Sequence, residues 1–146
     1  MNDRKLGPAE LVIAISGTVM LVASFLDVYE DRNAWGEFLF PIVTLPAIAG
    51  IVMAAQVLLG AFTTIAPPAR VLGLDWVRLH VVLGSYAAAL MVGLLIGDSG
   101  FKNVSLDRSA GFWLMLLSSI GLLAGALMMR AASATSASGG GTVDTS

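Results

Sequence analysis

Cysteine is absent from all 146 residues, which excludes disulfides, thiolate metal sites, cysteine nucleophiles and dithiol redox chemistry. Histidine occurs once, so a haem held between two histidines of one chain is excluded, and only two copies of the chain could supply such a pair. Charge is scarce as well: Asp, Glu, Lys and Arg make up 12% of the residues, about half the usual share of a soluble domain. The formal net charge is −2, so no basic surplus exists to attract phosphate backbones, and nucleic acid is excluded as a partner. No cluster of carboxylates or histidines stands near a span end of the kind a metal-dependent lipid phosphotransferase needs. Ser85 and His80 are five residues apart and point about 140° away from each other on one helix, which argues against an intramembrane serine nucleophile with its base. No catalytic residue, cofactor or metal ligand is assigned.

Hydrophobic residues fill the space left by these absences, at 57% of the chain. A mean hydropathy of +0.86 places it among membrane proteins. Crossing the hydrocarbon takes about 20 mostly apolar residues in a helix, because no water is there to satisfy free backbone groups. Four segments qualify, over about 8–27, 38–62, 76–97 and 110–130. Pro8 suits the first turn of the first span, where its missing N–H costs nothing. Pro46 is expected to kink the second, and Pro67 and Pro68 to end it. Asp75 is a good N-cap for the third, and Arg108 and Arg130 bracket the fourth. The connections are short, so sequential helices should pack as antiparallel neighbours.

The expected fold is therefore all-α, a transmembrane four-helix bundle made of two antiparallel hairpins. Residues 1–7 form a cytoplasmic N-terminus. The small polar residues of 131–146 offer nothing to bury and form a disordered C-terminal tail. A signal peptide ending at Val22–Ser24 is the competing reading of the first segment, and Glu10 together with the immediate hairpin to a second span counts against it. Lys and Arg set orientation. Arg4, Lys5, Arg70, Arg78 and Arg130 fall on the side of the termini, against Arg32, Lys102 and Arg108 on the other, which puts both termini in the cytoplasm of a bacterial cell with the protein in its inner membrane.

The stretch Ser24–Pro41, SFLDVYEDRNAWGEFLFP, becomes the first extracytoplasmic hairpin head, with Tyr29, Trp35, Phe38 and Phe40 at headgroup level. Its charges lie outside the hydrocarbon. Three readings stay open for it: a solvated head, a docking surface for another protein through Asp27, Glu30, Asp31 and Trp35, or a loose divalent-cation site if the first helix carries the three acids on one face.

Inside the spans, ionisable residues are functional hypotheses by default. Glu10 and Arg78 lie within a turn of the cytoplasmic helix ends and can snorkel to the headgroups. His80 shares a helix face with Gly84, Ala87, Ala88 and Met91, which directs it into the bundle at the depth of Gln56 on the second span. An imidazole to amide hydrogen bond would satisfy both. A ligand or proton site, or contact with another subunit, are the alternatives. Tyr86 and Ser118 join Ser16, Thr18, Ser85 and Ser119 in a midplane layer of hydroxyls, read as packing glue or as a narrow polar pathway. Gly50 with Ala54, Gly84 with Ala88, Gly93 with Gly97 and Gly121 with Gly125 have the spacing that lets helices approach closely, within a bundle or between copies.

The size also matches the small multidrug resistance transporters. Those place a glutamate well inside the first span, whereas Glu10 sits at its mouth. Through SFLDVY (Ser24–Tyr29), NAW (Asn33–Trp35) and DWVRLH (Asp75–His80), the chain resembles small four-span integral membrane proteins of unknown function from actinobacteria. That resemblance implies an architecture and no catalytic residue. The expected role is a non-enzymatic accessory or scaffold subunit of a membrane assembly, with a small homo-oligomeric transporter or channel as the alternative. The expected partners are the lipid bilayer and other membrane proteins or further copies of the chain.

Overall fold

The computed structural model describes residues 5–37, 39–63, 68, 70–97 and 107–138. Four helices account for most of them: α1 (Pro8–Phe25), α2 (Thr44–Phe62), α3 (Trp76–Ile96) and α4 (Ala110–Ser138). Among the described residues there is no β-strand, only isolated bridges in the turns. Each helix is long and apolar enough to cross a membrane.

The surface of the bundle shows which solvent it is built for. Large apolar side chains point outward along every helix, with Ile15 56% and Leu117 65% exposed. A bundle in water would carry polar residues on that face. Here both faces of each helix are oily, as a bilayer requires. The interior is distinguished by tighter packing and not by greater hydrophobicity: Met20, Met53, Met91 and Met115, one from each helix, are fully buried with Ile13, Phe112 and Leu122.

In section the helices run in ring order α1, α2, α3, α4, with α4 closing back on α1 in the most extensive interface of all. Among the described residues α1 and α3 do not touch, whereas α2 and α4 approach across the other diagonal. Two hairpins in series are thus joined by their first and last helices. Small residues make the close approaches possible. A Cβ added to Gly17 of α1 would lie 2.5 Å from the Cβ of Ala54 and 2.6 Å from the carbonyl oxygen of Gly50, so the α1–α2 crossing leaves no room for one. Gly121 and Gly125 play the same part for α4, receiving Ser16 and Ile13 of α1, and Gly84 of α3 lies against the backbone of Leu123. Three of the four small-residue pairs therefore serve contacts within one chain. Gly93 does not, having no atom within 4 Å of where its Cβ would stand.

Three element boundaries differ from the sequence expectation. Helix α1 stops at Phe25, two residues early. Helix α2 begins at Thr44 and not near Phe38, so Pro46 falls in its first turn, where a missing N–H is harmless, and kinks nothing. Phe38 itself lies outside the described residues, as do 64–67, 69 and 98–106. Helix α4 continues past Arg130 for two more turns to Ser138. The alanines of that stretch favour helix, and Ser133, Thr135 and Ser136 donate back to carbonyls four residues earlier. The rest of the expected tail, 139–146, lies outside the described residues.

Two starts follow expectation. Asp75 caps α3, its Oδ1 accepting from the Arg78 backbone N–H at 2.8 Å. At α1, Glu10 turns back to accept the Gly7 N–H at 2.9 Å, which places a carboxylate at the positive end of the helix dipole. Glu10 is thus a capping residue of the first turn.

Gly17→Ala should lower the thermal unfolding midpoint in detergent by the equivalent of about 1–3 kcal/mol, the usual cost of overpacking. Gly93→Ala should leave it unchanged or slightly raised, and equal effects at the two positions would contradict the packing described.

Candidate functional site

The head between α1 and α2 is a folded element. Because α1 ends at Phe25, Asp27, Glu30 and Asp31 stand on a turn and not on a helix face. Asp31 adopts the left-handed conformation, φ 54°, that closes this turn. The Arg32 N–H donates to the Tyr29 carbonyl at 2.6 Å, and the Val28 N–H donates to the Arg32 carbonyl at 2.8 Å. All three acids are exposed, while Val28, Tyr29 and Ala34 beneath them are fully buried. Among the described residues no three His, Asp or Glu side chains come together in a metal-binding arrangement.

Trp35 is anchored and not free. Its Nε1 donates to Ser24 Oγ at 2.9 Å, its ring stacks on Phe25 at 5.8 Å, and it remains 39% exposed. Thr44 Oγ1 donates to the Ala34 carbonyl, which ties the head to the first turn of α2. Ser109 and Gly111 N–H groups donate to the carbonyls of Val28 at 3.0 Å and Asp27 at 3.1 Å. Those donors belong to the start of α4, where a helix has no partners of its own to offer. The head therefore caps α4.

Arg108 completes this arrangement and was read in the sequence as a bracket of the fourth span and a topogenic charge. Its Nη2 donates to the carbonyls of Leu95 at 2.9 Å and Leu94 at 3.3 Å, the unpaired acceptors at the C-terminus of α3. Its guanidinium lies 5.4 Å from the centre of the Phe112 ring, against which Tyr29 packs at 5.6 Å. A cation just before a helix opposes that helix's dipole, so an arginine two residues ahead of α4 was the available signal that it serves another element. Tyr29 Oη is buried with no hydrogen-bond partner among the described residues. Burial raises the pKa of this phenol above its ordinary value, and the charge of Arg108 draws it partly back.

The expected intramembrane polar contact is not formed. His80 is buried at 0% exposure, as its helix face predicted, yet neither imidazole nitrogen has a hydrogen-bond partner among the described residues. The expected bridge to Gln56 is therefore corrected: neither ring nitrogen of His80 bonds to the Gln56 amide. The neighbour that does approach is Trp76, one turn earlier, at 6.1 Å between ring centres. Tyr86 turns outward, 42% exposed, and needs no interior partner. Ser118 is buried beside Ser119, whose Oγ donates to the Leu116 carbonyl at 2.7 Å within its own helix. Of the midplane hydroxyls, Thr18 donates to the Ala14 carbonyl and Ser119 to the Leu116 carbonyl, each within its own helix.

No protein-family model matches the chain, and no curated protein or solved structure matches it.

Two outcomes test this account. Arg108→Gln should destabilise the protein by about 2–3 kcal/mol in thermal or denaturant unfolding, since hydrogen bonds from a charged donor are lost, and Arg108→Lys should restore less than half of that because it lacks the planar fork. His80→Leu should raise stability by about 1 kcal/mol, because it removes a buried group with unmade hydrogen bonds; a loss would reveal a partner for the imidazole.

Proposed function

We propose that this chain is an accessory or scaffold subunit of a membrane assembly, without catalysis of its own, standing in a bacterial cell membrane with both termini in the cytoplasm. The observation that carries the reading is the head: exposed carboxylates of Asp27, Glu30 and Asp31 mounted on a fully buried base that is hydrogen bonded to α1, α2 and α4. A charged surface on a fixed backbone loses little conformational freedom when it docks, which is what a protein contact surface needs. The excess of Lys and Arg on the side of the termini supports the orientation.

A homo-oligomeric transporter or channel is the second reading. In its favour stands His80, a buried ionisable side chain whose hydrogen bonds are unmade within the described chain.

A photocrosslinking residue placed at Glu37 in native membranes should yield one discrete protein adduct, abolished by the double charge reversal Glu30→Lys and Asp31→Lys, while the same probe at lipid-facing Leu117 yields none. Purified protein in vesicles should be silent in ion and solute flux. Flux that depends on His80, with no adduct at the head, would replace the scaffold reading with the second one.

A further inference from the structure

The opposite end of the bundle holds a feature that the head does not explain. An open groove of about 650 Å³ lies between the start of α3 and the last turns of α4. Its volume is within the range of small-molecule sites, about 300–1,000 Å³, so it can take a headgroup and not a whole two-chain lipid. Asp75, Arg78, Arg130 and Ser133 supply its polar lining, and Val77, Val81 and Val82 its apolar wall. The groove exists because α4 continues past Arg130: Ser133 stands on the extension that composition alone assigns to a disordered tail.

Depth gives the two arginines a meaning. From Leu79 to Ile96 of α3 is about 27 Å of helix, and from Ala110 to Met129 of α4 about 30 Å, each the thickness of the hydrocarbon. Arg78 and Arg130 therefore stand at one level, that of the lipid phosphates, on the cytoplasmic side, and both line the same groove. The valine wall descends from there along α3 into the span. Asp75 is the opposing charge in the groove; it is committed to the α3 N-cap through Oδ1, and its Oδ2 holds Arg78 Nε at 3.4 Å. One acid against two guanidinium groups leaves the lining with a net positive charge.

We propose that this groove binds an anionic phospholipid, its phosphate held by Arg78 and Arg130, its headgroup hydroxyls by Ser133, and one acyl chain laid along Val77, Val81 and Val82. A planar guanidinium engages a phosphate through paired N–H donors, and an apolar wall continuous with the phosphate level selects a lipid over a free anion. The site does not depend on the scaffold reading, because it lies at the other end of the bundle from the acidic head.

The experiment titrates phosphatidylglycerol and phosphatidylcholine into the full chain in neutral detergent, with native mass spectrometry and thermal unfolding as readouts. Phosphatidylglycerol should bind and raise the midpoint more than phosphatidylcholine. The double variant Arg78→Gln and Arg130→Gln should bind it roughly tenfold or more weakly while unfolding normally without lipid, as loss of two phosphate-level arginines requires. Arg70→Gln removes a positive charge from the same side of the membrane outside the groove and should leave binding unchanged. Equal binding of the two lipids, equal weakening by Arg70→Gln, or equal stabilisation by inorganic phosphate alone would each overturn the proposal.

Discussion

A peptide N–H or carbonyl without a partner is costly near hydrocarbon, where water is not there to take its place. A helix satisfies its own interior and leaves its ends open. Four of the helix ends of this protein are closed by specific groups. Glu10 takes the Gly7 N–H, Asp75 takes the Arg78 N–H, the carbonyls of Asp27 and Val28 take donors from the start of α4, and Arg108 takes the last carbonyls of α3. The head between α1 and α2 is largely a consequence of this demand. Its buried base is what must be folded for α4 and α2 to begin where they do.

Hydropathy was sufficient to count the spans, because the cost of exposing backbone to lipid forces helices wherever some 20 apolar residues run together. It was not sufficient to place the start of α2. Phe40 to Val43 is as apolar as the helix that follows, but Pro41 disfavours helix at the residue before it, and turns that close from Gly36 take its place. Composition misjudged the end of α4 for the opposite reason. Little in 131–138 needs burial, yet alanine propensity and hydroxyls bonding one turn back are enough to extend a helix already begun.

The candidate contacts divide along the same line. His80 was placed inward from its helix face alone, and Asp75 as a cap from its position, since both depend on local periodicity. What His80 meets inside the bundle depends on how the helices pack against one another, which no local pattern encodes. Arg108 was missed because its partners are backbone carbonyls of another helix, and backbone groups carry no sequence signal. The Gly17 crossing lay hidden among glycines that look alike in the sequence, and only the three-dimensional approach of Gly50 and Ala54 separates it from the open Gly93.

The broadest seam in the bundle joins the first helix to the last. In biosynthesis the ribosome makes Ile13 and Ser16 of α1 more than a hundred residues before Gly125 and Gly121 of α4, which receive them. Until then that flank of α1 lacks the helix it packs against in the finished bundle. The seam can close only after the last helix has been made, and a chain broken off before Ala110 would leave the flank of Ile13 and Ser16 uncovered.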